Sequence, residues 1–270
     1  MPTVNQSRAR GVDSCQTLLA TISGAGMRRV LLTGLAVLLA AGIGHAEKAL
    51  DIVIYGATGE VGSHVLHEAL ERGHRVTAVS RNPARVELQH PNLSVVKGNL
   101  LDRASVAGSV IGKDVVILSV RGVIGDAGTP ASALQFMAAE TLVDVLFPMG
   151  DSAPRLIHVG GSGSLEVEPG VLFAAKLPKI LLPKNLEVEI LGQILALEFY
   201  RKVDDVNWTY VTPPKNFTNG PRTGVFRIGG DRALEDSRGR TRVARADFAV
   251  ALIDEAEQAM YPRQRISVAY

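Results

Sequence analysis

Between an apolar run at residues 50–55 (Leu-Asp-Ile-Val-Ile-Tyr) and a helical pattern beginning at residue 61 stands Gly56-Ala57-Thr58-Gly59-Glu60-Val61-Gly62. Apolar residues at Val61, Val65, Leu66, Ala69 and Leu70 recur with helical spacing, and Gly73 is placed to stop that helix. The glycines therefore lie in a strand-to-helix turn. In that context Gly56 permits the sharp turn, Gly59 lets the backbone approach a pyrophosphate, and Gly62 lets the helix pack close to the strand. The helix start presents free N–H groups and the positive end of its dipole to phosphates. The pattern reads as a dinucleotide-binding turn.

The alternation continues. Strand-like runs are expected at 75–80, 93–96, 115–120, 156–159 and 208–211, and helices at 102–111, 131–146 and 185–202. Strand–helix repetition with right-handed crossovers predicts an α/β fold with a doubly wound parallel sheet, the Rossmann arrangement. Beyond Pro213 an extended segment at 222–231, a helix at 248–258 and a strand at 266–269 read as short C-terminal additions. No linker precedes them, so 47–270 is expected to be a single domain.

The end of the second strand bears on which dinucleotide is bound. An acidic residue there would accept hydrogen bonds from the adenosine ribose, but this chain has Ser80-Arg81-Asn82, with Arg85 one turn later. A guanidinium at Arg81 can pair with a 2′-phosphate, so NADP(H) is preferred over NAD(H).

GATGEVG, SRNPARV at the second strand and KGNLLD after the third resemble the atypical short-chain dehydrogenase/reductase superfamily. GGSGSLEVEPG at 160–170, WTYVTPP at 208–214, RTGVFRIGGD at 222–231 and ADFAVALIDEAE at 246–257 are similar to its NADH-flavin reductase group. That group includes biliverdin-IXβ-reductase-like and NmrA-like proteins, and the resemblance spans 50–270. It implies that Thr58, Gly59, Glu60 and Val61 lie against the pyrophosphate and Arg81 against the adenosine phosphate. It further implies Asn99 and Leu100 beside the adenine, Val120 and Arg121 near the nicotinamide-side ribose, and Pro213 and Pro214 beside the nicotinamide.

Many members of the superfamily use a Tyr-x-x-x-Lys pair, and this chain has none. Tyrosine-dependent carbonyl reduction and sugar-nucleotide epimerisation or dehydration are thereby demoted. Ser162 and Ser164, in the Gly160-Gly161-Ser162-Gly163-Ser164 run, are the candidate catalytic hydroxyls; a glycine-rich turn whose hydroxyls only cap the backbone is an equal reading. The run lacks the final glycine of a nucleophile elbow, so a hydrolase is not supported. Lys215 could steer an anionic substrate or be an ordinary surface lysine. His64 and His67 share a helix face but lack a third ligand, so no metal is expected. The apolar stretch 188–197 suits either an interhelical interface or a core-facing helix.

The first 46 residues read differently. Arg28 and Arg29 precede VLLTGLAVLLAAGI and Gly44-His45-Ala46, the charged, apolar and small-residue regions of a signal peptide cleaved after Ala46. Met27 would be its start and 1–26 an upstream extension. The paired arginines also resemble the twin-arginine signal for folded cargo. Export or a periplasmic location is expected if 27–46 functions, and a cytoplasmic one otherwise; a cleaved leader leaves no stable membrane span. The segment holds four of 29 basic residues, one of 27 acidic residues and the sole Cys15, so the remainder has a formal charge near −1 and no thiol. That balance points away from nucleic acid. The expected partners are a nicotinamide dinucleotide and a small planar substrate, hydride passing to a flavin, quinone or tetrapyrrole. The alternative is a non-catalytic NAD(P) sensor of the NmrA-like kind.

Overall fold

A computed structural model describes residues 48–125 and 128–270, so the leader and its extension lie outside the described residues. The order of elements is β1 (Asp51–Tyr55), α1 (Gly62–Glu71), β2 (Arg75–Ser80), β3 (Leu93–Lys97), α2 (Arg103–Val110), β4 (Val115–Leu118), α3 (Leu134–Leu146) and β5 (Arg155–Val159). There follow β6 (Glu166–Glu168), β7 (Val171–Leu172), α4 (Lys184–Tyr200), β8 (Trp208–Thr212) and β9 (Asn216–Thr218). The chain closes with β10 (Arg227–Gly229), β11 (Arg242–Ala244), α5 (Arg245–Gln258) and β12 (Gln264–Ala269).

Among the described residues eight strands form one sheet in the order β3-β2-β1-β4-β5-β8-β12-β10. Every neighbouring pair is parallel except β10 with β12. All residues of β4 and β8 are buried, as a strand covered on both faces requires. The faces separate along β1: Ile52 and Ile54 pack with α1 and α5, whereas Val53 and Tyr55 pack with α2, α3 and α4. Each fully buried aliphatic side chain contributes about 1.5–3 kcal/mol, so the two layers of apolar residues hold the helices to the sheet. The chain leaves β1 toward β2 on one side and later returns to β4 on the other. A crevice opens there, beyond the carboxyl ends of the strands.

The parallel α/β class agrees with the sequence reading, and several boundaries differ. The helix expected from 131 begins at Leu134; Pro130–Ser132 is a 3-10 turn and Ala133 is extended. The backbone there pairs with the preceding loop instead, the Ile124 N–H donating to the Ser132 carbonyl and the Leu134 N–H to the Gly122 carbonyl, both at 2.9 Å. β4 ends at Leu118, two residues before the expected end, because Ser119 passes over Gly56. The C-terminal strands are not mere additions, for β12 and β10 extend the main sheet. The β6–β7 hairpin escaped the sequence reading, although Pro169-Gly170 is a turn signal.

Candidate active site

Gly56 has φ +86°, and a Cβ there would lie 2.0 Å from the Ser119 carbonyl oxygen. A side chain at Gly62 would meet the Gly56 carbonyl at 2.0 Å, so this glycine lets α1 press onto the turn itself rather than onto the body of β1. The turn closes with the Gly59 N–H donating to the Gly56 carbonyl at 2.9 Å. The N–H groups of Glu60, Val61 and Gly62 have no backbone acceptor among the described residues. They stand at the start of a ten-residue helix, an arrangement suited to phosphate oxygens.

Two adjoining cavities lie along the strand ends. The first, about 600 Å³, is lined by residues following β1, β2, β3 and β4, including Gly56, Thr58, Arg81, Asn99 and Leu100. The second, about 310 Å³, lies over β5 and β8 and is lined by Glu60, Val61, Ser162, Pro213 and Pro214. Gly59, Ser119, Val120 and Arg121 border both. The candidate cofactor residues thus gather along one trough, except Gly62, which lines neither cavity.

The two candidate serines separate. Ser162 lines the second cavity, whereas Ser164 is 2% exposed, and its hydroxyl donates to the Gly161 carbonyl at 2.9 Å. Ser164 caps the turn. Its own carbonyl accepts from buried Arg265 at 2.9 Å, which fastens the glycine-rich run from below.

Sequence reading missed the far wall of the second cavity. Leu186, Glu189, Ile190 and Gln193 form it from α4, with Gln135 from α3 and Phe217 beyond β8. The first four are spaced i, i+3, i+4 and i+7, so the apolar stretch at 188–197 held the signal of a helix face turned to the site. Gln135 is 1% exposed; its Nε2 donates to the Glu189 carbonyl at 3.0 Å while its Oε1 has no partner among the described residues. The Tyr210 hydroxyl lies 2.6 Å from the Gln193 Oε1, and the Tyr210 ring packs so close to Gly160 that a Cβ there would come within 2.2 Å of it.

Two ion pairs involve charged residues of the second cavity. Arg121 binds Glu189 at 3.0 Å, and Glu60 binds Arg245 at 2.8 Å. The Arg245 guanidinium also lies 5.2 Å from the centroid of the Phe217 ring. Lys215 sits over Phe173, its ammonium 5.2 Å from the ring centroid.

Beneath the glycine floor lie His158, Tyr200 and Tyr210, all buried. Burial pushes both tyrosine hydroxyls well above their ordinary range, and depresses His158 to about 3. Neither tyrosine lines the second cavity. Among the described residues no tyrosine or histidine lines that cavity. Among the described residues no three metal-capable side chains cluster, and His64 and His67 stay a pair on α1.

A family described as NAD(P)H-binding matches residues 56–259. Three crystal structures resemble the chain over most of its length. A protein from Burkholderia pseudomallei, provisionally designated exported, is 34% identical; the likeness covers 82% of this chain and 100% of that one, with a TM-score of 0.68. A provisionally designated epimerase from Bacteroides thetaiotaomicron is 31% identical, with 83% and 98% covered and a TM-score of 0.71. A provisionally designated NADH-flavin reductase from Streptococcus pneumoniae is 26% identical, with 82% and 99% covered and a TM-score of 0.68.

Proposed function

Because this chain belongs to the NAD(P)H-binding family, we propose that it is a reductase that passes a hydride from NADPH to a planar acceptor. The acceptor is of the flavin, quinone or tetrapyrrole kind. One observation carries the reading: the cavity next to the dinucleotide turn is mostly apolar. Gly160, Gly161 and Gly163 form its floor, and Leu186, Ile190, Pro213 and Pro214 its walls. A mostly apolar pocket of about 310 Å³ beside that turn suits an aromatic ring better than a strongly hydrated substrate.

The residues present suit the dinucleotide. The free N–H groups at 60–62 and the α1 dipole fit a pyrophosphate, and Arg81 and Arg85 border the first cavity where an adenosine phosphate would lie. Bound nicotinamide supplies the hydride. The protein's contribution is placement: Val120, Pro213 and Pro214 line the cavity in which the two rings would be held together. Ser162 or solvent supplies the proton, because no tyrosine reaches the cavity. The same geometry weighs against epimerisation, which needs a tyrosine-like base at the substrate.

Residues 47–270 act as one domain in this reading, and 27–46 as an export signal. The exported designation of the Burkholderia relative supports export. Among the described residues no helix is long and apolar enough to cross a membrane. A reporter fused after Ala46 tests the signal.

The activity is tested by mixing the full chain with NADPH and either FMN or menadione without oxygen, following loss of nicotinamide absorbance. Many turnovers per chain with either acceptor are expected. Tight NADPH binding with no turnover would replace the reductase by the sensor reading.

A further inference from the structure

Among the described residues four charged ones line the substrate cavity: Glu60, Arg121, Glu189 and Lys215. Three are neutralised by a partner, Glu60 by Arg245 and Arg121 and Glu189 by each other. Lys215 makes no ion pair among the described residues; its ammonium rests over the Phe173 ring. Its backbone follows Pro213-Pro214, and its N–H donates to the Thr241 hydroxyl at 3.2 Å, so the root of the side chain is fixed. An ammonium held against an aromatic face sheds part of its hydration yet keeps its N–H donors for an anion. The cavity wall therefore carries one uncompensated positive charge, exposed and at the rim.

We propose that Lys215 selects acceptors bearing an anionic tail, a phosphate or carboxylate, beside the ring that is reduced. The inference rests on the reductase reading and adds a substrate class to it. A flat ring enters over Gly160 and Gly161 against the apolar wall, but a charged tail cannot follow it there without losing its hydration. The tail stays at the mouth, where Lys215 is the free counter-charge. A lysine suits this task because its charge is compact and its stem flexible, so phosphate and carboxylate are both accommodated.

The experiment compares FMN with riboflavin, which share a ring and differ by one phosphate, as acceptors for NADPH oxidation by the full chain. Biliverdin and its dimethyl ester repeat the comparison for carboxylates and show which anion the site takes. At low ionic strength kcat/KM is expected to favour the anionic member of a pair by about tenfold or more, mainly through KM. Lys215→Met should bring that ratio to within about twofold, Lys215→Arg should restore most of it, and about 0.5 M NaCl should narrow it in the unaltered protein. Equal use of charged and uncharged acceptors by the unaltered protein would overturn the proposal. So would a Lys215→Met variant that slows both members equally. Flavin fluorescence quenching reads the same preference as a ratio of Kd values. Absent turnover would thus overturn the reductase reading, while the Kd ratio still decides the role of Lys215.

Discussion

The guanidinium of Arg245 meets the carboxylate of Glu60 at 2.8 Å, across 185 positions of sequence. Glu60 stands in the turn offered to the phosphates, where an unpaired carboxylate would repel them. Arg245 comes from the first turn of α5 and is itself braced by Asn219 at 2.9 Å and by Phe217. The cation therefore makes an acidic residue tolerable at an anion site. Arg245→Met should weaken NADPH binding by about tenfold at low salt, and Glu60→Gln in the same chain should restore most of the loss. Calorimetric titration of the two single variants and the double variant checks this. A double variant no better than Arg245→Met would contradict the account.

Arg81 borders the first cavity and makes no ion pair among the described residues. A charge-assisted bond to a 2′-phosphate is worth roughly 1.5–3 kcal/mol. Arg81→Ala should therefore raise the Kd for NADPH by about 10- to 100-fold while changing that for NADH by less than about threefold. Equal losses for both dinucleotides would place Arg81 outside phosphate recognition.

The glycine turn was legible because its whole signal lies within seven residues, 56 to 62, between two elements with clear periodicity. The parallel sheet followed from the same local alternation. The substrate cavity was not legible in the same way, because its walls come from residues around 120, 135, 160, 190 and 215. The stretch 188–197 reads as an interface or a core-facing helix in sequence, and only the packing of α4 beside the site turns Glu189 and Gln193 into cavity residues. Ser162 and Ser164 differ by two positions and one turn of backbone, which puts one hydroxyl at the cavity and the other under the loop. Only the three-dimensional path separates them.

His158 should leave a mark on acid stability. Burial holds it neutral down to about 3, whereas an unfolded chain protonates it near 6.5. The unfolded state thus binds the extra proton, and stability present above about pH 6.5 is lost as pH falls toward 3, at about 1.4 kcal/mol per pH unit. Urea unfolding of the unaltered chain and of His158→Gln across this range checks the sign. The variant should gain on the unaltered chain as pH falls. A gap independent of pH would mean that His158 titrates without cost in the folded state.

The trough at the ends of β1 to β5 is where a nicotinamide dinucleotide is expected to bind. Titration of the full chain with NADPH, by calorimetry and by nicotinamide fluorescence, tests it most directly. One saturable site per chain is expected, lost or weakened by more than about tenfold in Gly62→Ala, whose new methyl would push the turn from the helix start. A folded chain that takes up neither NADPH nor NADH would contradict it.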